Sequence, residues 1–440
     1  MGIKNRGGSP GGTDRSIARR IWRHCPILLL LAALAACGFP RPPDIDDDTA
    51  PPAACTRDPD CSATTPFCVD ATCVACRDST SCPTARPVCD MTSHDCRTCA
   101  QDSECDSGAC DLAAGTCIDQ GAILYVSPGG TNADTCSRAD PCSFFHAGSV
   151  VDPGHPYIVL LPGAESTAPL FAGTKATVVG GGNSAFPNIV LSNGADVVIR
   201  DLTLAESQAN NLRPFGAGSA IACNGTCNLT LGHVTLQLKS LTALTAFQGG
   251  NITIRNSIID NGSLQVSAHV VIDRSSFLSE SGIVSSSTDQ ELEITNSIFV
   301  SNSGNSGISI NTATNTASLG SAYIASNTFI NSSIDCGGNS LYDKIFDSNI
   351  FNGANSLASP PGCRYLYNLI TPSINVGSGT GNITGDPLFV NTANGDFRLQ
   401  TGSPAIGAAD PSPLPNGHDH DGKPRPLDHR ADIGAFEYAP

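Results

Sequence analysis

The feature that most constrains this chain is an apolar pattern that recurs at intervals of 18 to 32 residues between positions 197 and 370. Two apolar residues alternate with arbitrary ones, a polar or small pair follows, and a large apolar residue comes next. The sets are Val197, Ile199 and Leu204; Leu229, Leu231 and Leu236; Ile252, Ile254 and Ile259; and Val270, Ile272 and Phe277. Leu292, Ile294 and Phe299 continue them, then Ala322, Ile324 and Phe329. Lys344, Phe346 and Phe351 make a weaker set, and Cys363, Tyr365 and Ile370 the weakest. Alternation predicts a strand with one buried face. Polar pairs such as Asn256-Ser257, Asn296-Ser297, Ser326-Asn327 and Ser348-Asn349 predict a tight bend. The large residue after the bend then opens a second short strand. One strand, bend and strand per 20-odd residues is one coil of a parallel β-helix. The longer intervals, from Ile199 to Leu231 and from Ile294 to Ile324, predict loops pushed outward. Eight coils stacked at about 4.8 Å make a rod of roughly 40 Å. Propeller blades repeat every 40 residues or more, and the density of Asn, Gly and Ser argues against a helical solenoid.

A second, shorter repeat precedes this one. Twelve cysteines fall into three blocks of four: Cys55, Cys61, Cys68 and Cys73; Cys76, Cys82, Cys89 and Cys96; Cys99, Cys105, Cys110 and Cys117. Units of this size with few large apolar residues need covalent staples. The pairs Cys73/Cys76 and Cys96/Cys99 also fit a zinc-ribbon spacing. That reading leaves eight cysteines of the same repeat without a role, so disulfides are expected, with three connectivities open per block. Cys136 and Cys142, Cys223 and Cys227, and Cys336 and Cys363 are read as further local pairs, which makes eighteen cysteines after Cys37.

At the N-terminus, Arg19, Arg20 and Arg23 precede an apolar run from Pro26 to Ala36. The run is shorter than the roughly 20 residues of a spanning helix and has the form of a cleavable signal peptide. Leu34-Ala35-Ala36-Cys37 resembles the lipobox of bacterial lipoproteins, which implies cleavage before Cys37 and a diacylglycerol on its thiol. Gly38, where an inner-membrane retention signal would show Asp, favours the outer membrane or cell surface. Removing the six basic residues and one acid before Cys37 leaves 18 basic and 39 acidic residues, a net charge of −21. Such a chain repels nucleic acid; its membrane contact is expected through the lipid. The organisation expected is a signal peptide at 1–36, a Pro- and Asp-rich tether at 37–54, a disulfide-rich region at 55–118, and the β-helix at 121–440.

The β-helical part resembles the pectin-lyase-like right-handed parallel β-helix superfamily. Its opening, from Leu124-Tyr125-Val126 to Ser143-Phe144, resembles the entry of such proteins, which implies a strand and a short helix capping the open coil. Thr177-Val178-Val179-Gly180 resembles an early coil. Residues 385–438 resemble the choice-of-anchor Q module of bacterial surface proteins. The residues that carry this likeness are Gly385-Asp386-Pro387-Leu388-Phe389, Gly395-Asp396-Phe397, Gly402-Ser403-Pro404 and Asp432-Ile433-Gly434-Ala435-Phe436. The module implies no reaction.

The superfamily includes polysaccharide lyases and glycoside hydrolases, so chemistry on the coils has to be weighed. A lyase needs calcium beside a basic residue; a hydrolase needs paired carboxylates. The coils offer Asp201, Asp260, Asp273 and Asp289 with Arg200, Arg255 and Arg274. Aligned on the repeat, Asp201, His233, Asn256, Arg274, Asn296 and Ser326 share the bend position and read as solvated surface residues, with Arg255 and Arg274 as coil neighbours. Sugar grooves commonly use aromatic platforms, and the single Trp, Trp22, lies in the expected signal peptide. No catalytic residue is therefore assigned. The acidic segment permits two metal readings: a calcium loop, with Asp419, Asp421 and Asp428 at ligand spacing, and a transition metal held by His418 and His420. The position that should open this loop is Gly417, which brings no carboxylate. The segment reads first as a structural acidic loop. The function expected is a lipid-anchored surface for binding or structure, with a polysaccharide or a surface protein as partner.

Overall fold

The computed structural model describes residues 55–163, 168–183, 189–205, 219–238, 242–246, 249–279, 281–285, 291–302, 307–310, 321–336, 344–354, 356–358, 363–372, 379–412, 417–427 and 430–440. Residues 1–54, with the expected signal peptide, Cys37 and tether, lie outside the described residues. So do Asp289, Asp428 and much of the two expected outward loops.

From residue 157 to residue 371 the chain winds as a right-handed parallel β-helix of three sheets. The first sheet holds Tyr157–Leu160, Lys175–Asn183, the first half of Asp196–Ala205, Cys227–Gly232, Gly250–Arg255 and His269–Asp273. It continues through Leu292–Thr295, Ala322–Ala325, Lys344–Asp347 and Arg364–Leu366. The second sheet follows each bend, from the second half of Asp196–Ala205 through Thr235–Gln237 and Ile258–Asp260 to Leu369–Thr371. The third has eight strands, from Leu170–Ala172 to Ser333–Asp335. The 196–205 strand serves two sheets. Its first half pairs with Cys227–Gly232 and its second with Thr235–Gln237, and it turns at Asp201, where φ is 53°.

Every apolar set of the repeat lands in register. Ile199, Leu231, Ile254, Ile272, Ile294, Ile324, Phe346 and Tyr365 are successive partners in one inward column. Leu204, Leu236, Ile259, Phe277, Phe299, Phe329, Phe351 and Ile370 form the next. All are buried in one continuous core. Phe277, Phe299, Phe329 and Phe351 stack with centroids 4.7, 4.9 and 4.9 Å apart, because identical side chains at one coil position inherit the coil spacing. The weak set is also explained. Lys344 points inward, 1% exposed, and its ammonium donates to the Cys336 carbonyl.

The polar pair at each bend divides its work. Its first residue adopts a left-handed conformation: Asn256, Arg274, Asn296, Ser326 and Ser348 have φ of 49, 49, 50, 57 and 55°. Its second turns inward and hydrogen-bonds the next coil. The Ser257 hydroxyl accepts from the Val234 amide, Ser275 from Ser257 and Ser297 from Ser275. Asn327, Asn349, Asn368 and Asn382 continue the column as a ladder. Each of the last three accepts, through Oδ1, both the backbone amide and the side-chain amide of the residue before it. Backbone groups freed by the bend are thus satisfied inside the core, where leaving them bare would be costly.

The coil opens on the strand Ile123–Val126, parallel to Tyr157–Leu160. The helix Phe144–Val150, capped by Ser143, covers that end, with Phe144 edge-on to Phe171 at 6.3 Å. The capping strand and helix are thus where the resemblance placed them.

The cysteine blocks share one connectivity, first to third and second to fourth: Cys55–Cys68 and Cys61–Cys73, Cys76–Cys89 and Cys82–Cys96, Cys99–Cys110 and Cys105–Cys117. Each block carries a two-stranded antiparallel ribbon. Cys136–Cys142, Cys223–Cys227 and Cys336–Cys363 staple the entry and two coils. The third block lies against the outside of the first sheet, where Ala109 packs with Ile123, Tyr125, Val159 and Val179.

The chain after 385 returns along the helix. Phe389–Asn391 and Asp396–Leu399 form an antiparallel hairpin. Phe389, Phe397, Leu399, Ile433, Ala435 and Phe436 cover the outward side chains Ile298, Ile330, Ile350 and Leu369 of the second sheet. This second core explains why Ile298 and Ile350 are apolar on the face away from the coil interior.

Candidate functional site

Three places gather polar groups: the bend row, the acidic C-terminal loop, and the junction between the third cysteine block and the first coils.

Alignment on the repeat placed Asp201, His233, Asn256, Arg274, Asn296 and Ser326 together, and the structure does put all six at equivalent left-handed bend positions. Solvation along the row is not uniform. Asn296 and Ser326 are 1% and 2% exposed, because the returning C-terminal segment lies over them. Arg255 has Asp273 as its register partner, so Arg274 is offset from it by one position. Asp273 is the centre of this region. Its Oδ1 accepts from Thr295 Oγ1 at 3.1 Å and Asn296 Nδ2 at 3.0 Å. Its Oδ2 accepts from His418 Nε2 at 3.0 Å and Arg274 Nε at 3.2 Å. Burial pushes Asp273 up, but the donors from Asn296 and His418 outweigh it and hold the carboxyl below its ordinary value. His420 Nδ1 donates to the Asn296 carbonyl at 2.8 Å, and burial lowers its pKa. Further along the row, burial raises Asp347 to about 6, against a hydrogen bond from the Ser348 hydroxyl. Both carboxylates are buried: Asp273 fastens the C-terminal segment through His418, while Asp347 is held by Ser348 and Tyr323.

The acidic loop is knotted around the same contact. Asp419 is fully buried, and its two oxygens accept the amides of Lys423 at 2.8 Å and Glu437 at 3.0 Å. Arg425 and Glu437 pair at 3.0 Å with both side chains buried, while Arg425 also donates to the carbonyls of Asp432 and Gly434. Asp421 faces Lys423 at the surface, 3.6 Å away. Asp419 and Asp421 thus point to different partners. Among the described residues, the groups of three or more metal-capable side chains are cysteines of the three blocks, whose sulfurs are already joined in disulfides.

The junction was not visible as a site in the sequence. Asp102, 5% exposed, accepts the Cys110 amide at 2.7 Å and Arg200 Nη2 at 2.8 Å on its Oδ1. Arg200 also donates to the Cys110 carbonyl. Asp201, the first residue of the bend row, lies at the same junction as Asp102. Both line a cavity of about 510 Å³ that also holds Tyr125, Arg138, Val159 and Asp106. Burial raises Asp102 to about 6, with Asp201 adding to the effect and the Cys110 amide and Arg200 opposing it.

Beyond the coils covered by the third cysteine block, the outside of the first sheet is exposed at Asn228, Asn251 and Arg255. Asn251 Nδ2 donates to Asn228 Oδ1 at 2.7 Å, Thr230 and Thr253 are register partners, and Lys175 pairs with Asp196 at 3.2 Å. Arg255 extends the row, exposed.

No family model matches the chain, and no curated protein matches it. Among solved structures it is similar to the crystal structure of pectate lyase Pel9A, with 15% sequence identity and a TM-score of 0.39 over 73% of this chain and 98% of that one. The overlap is too loose to bear on activity. The class of protein is defined by the chain's own strand pairing: a parallel β-helix with a disulfide-rich N-terminal region.

Proposed function

We propose that this is a lipid-anchored cell-surface protein whose β-helix serves as a binding or structural face, with a polysaccharide or a surface protein as its partner. The observation that carries this reading is the outward face of the first sheet, where Asn228 and Asn251, and Thr230 and Thr253, repeat in coil register. A ligand with a matching repeat would meet the same donors and acceptors on these two neighbouring coils, about 4.8 Å apart, on a surface held rigid by the stacked core. The lipobox ending in Cys37 and the likeness of residues 385–438 to the choice-of-anchor Q module support an envelope location at the outer membrane or cell surface.

Metabolic labelling with a clickable fatty acid tests the anchor: label is expected in the wild type and lost in Cys37→Ala. Equal label in both would refute lipidation. For the face, the purified protein is incubated with a panel of plant, algal and bacterial polysaccharides. Binding that weakens about tenfold in Asn251→Ala/Arg255→Ala supports the reading. Release of unsaturated uronates or new reducing ends supports the rival one, a surface polysaccharide lyase or glycoside hydrolase.

A further inference from the structure

We infer that each cysteine block, once its two disulfides are opened, holds one zinc ion through its four thiolates. The sulfurs are already gathered. In the first block those of Cys55, Cys61 and Cys73 all lie within 4.8 Å of one another. Cys76, Cys82 and Cys96 repeat this in the second block, and Cys99, Cys105 and Cys117 in the third. The remaining cysteine of each block, Cys68, Cys89 or Cys110, is bonded to the first, so the fourth sulfur stands beside the set. Thiolates around a tetrahedral zinc, with bonds of about 2.3 Å, stand about 3.8 Å apart. Opening the disulfides lets the bonded sulfurs part to that spacing while their neighbours draw in.

Hydrogen bonds that reduction does not cut hold the same convergence. The third and fourth cysteines are register partners across each hairpin: Cys68 with Cys73, Cys89 with Cys96, and Cys110 with Cys117. The second closes a short turn, its amide donating to the carbonyl of Asp58, Ser79 or Asp102. The side chains of these three residues accept the amide of the third cysteine. The first cysteine donates its amide to the hairpin, at the carbonyl of Ala71, His94 or Gly115. Units this small lack the apolar burial to stay folded without a staple. A zinc ion supplies one, because its binding energy becomes folding energy, and an all-thiolate set suits it. The ligand set differs from the one that spacing suggests. Cys73/Cys76 and Cys96/Cys99 would share one ion between two blocks, whereas the structure groups the sulfurs block by block. The exchange balances simply. A phosphine gives two electrons to each disulfide and leaves as its oxide with an oxygen from water, so two such events yield the four thiols of a block. Zinc then releases the four thiol protons to solvent.

The full chain, reduced with a phosphine under anaerobic conditions, is given excess zinc chloride and desalted. Elemental analysis should find three zinc ions per chain, one for each block, and none in the oxidised protein. Cys55→Ser/Cys68→Ser should lower the count to two. A ribbon through Cys73, Cys76, Cys96 and Cys99 instead gives one ion in the wild type and one in that variant. Cys223→Ser/Cys227→Ser, outside the blocks, should still hold three. Cobalt in place of zinc should show the intense red absorption of a tetrahedral thiolate site. Zinc should slow protease cutting of the reduced blocks about tenfold relative to the metal-free reduced chain, and a disulfide-forming oxidant should release the metal. One ion per chain, a count unchanged in Cys55→Ser/Cys68→Ser, or no zinc retained after desalting overturns the inference. Should that variant not fold, the wild-type count and the cobalt spectrum decide by themselves.

Discussion

At the scale of single residues, the bend decides most of what this chain does. Two adjacent polar residues look alike in sequence, yet one takes a left-handed backbone on the outer side of the bend and the other enters the core. Asn349 shows what the inner one contributes. Its Oδ1 accepts from both the amide and the side chain of Asn327, and its Nδ2 donates to the Ile324 carbonyl and to Asn368. Asn349→Ala strips these partners at once and leaves buried groups unsatisfied. It is expected to cost about 3 kcal/mol, read as a lower urea midpoint with an unchanged slope. Asn349→Ser, which copies the hydroxyl column of Ser257, Ser275 and Ser297, should recover part of the loss. The inner role was missed in the sequence because a tight bend already accounts for Asn and Ser. What could have exposed it is the switch from Ser to Asn along the column, beginning at Asn327.

At the scale of elements, the first and second sheets were legible and the third was not. Inward residues of the first two lie at fixed offsets around an invariant two-residue bend, so the period survives from coil to coil. Inward residues of the third, such as Ile221, Leu244, Leu264, Ile283 and Ile308, are flanked by connections of changing length, so no fixed offset relates them to the repeat. The junction site was hidden for a related reason. Arg200 and Asp102 are 98 residues apart and belong to two different repeats. The cysteine blocks carry their own electrostatic staple. Glu104 binds Arg97 at 2.6 Å and accepts the Ala100 amide, and these contacts, led by Arg97, lower its pKa to about 2. A folded value below the unfolded one means that the stabilisation is present above about pH 4.5 and disappears as pH falls toward 2. Because Arg97 is exposed to solvent, the loss should be no more than about 1 kcal/mol. Glu104→Gln should flatten the acid limb of a pH–stability curve; an acid limb of the same depth in the variant would refute the assignment.

At the scale of the whole molecule, two apolar cores meet across the second sheet, one inside the coil and one beneath the returning C-terminal segment. They should respond separately. Ile433, fully buried in the outer core, is the place to test this. Ile433→Asp buries a charge without a partner, a change expected to cost several kcal/mol locally. The segment after 385 should then be cut early by protease and the exposed second sheet should bind a hydrophobic dye, while the far-ultraviolet signature of the helix persists. Simultaneous loss of both cores would show that they form one cooperative unit.

The returning segment also bears on the order in which the molecule can be completed. Coils are laid down from the capped end as the chain is made, each resting on the one before. Ile298, Ile330, Ile350 and Leu369 must wait for a cover that is encoded downstream of all of them. Until residues 389–436 emerge, the newest coils present a greasy stripe to whatever surrounds them. Synthesis therefore includes an interval in which this flank is sticky, and any factor that escorts the chain has that stripe to hold.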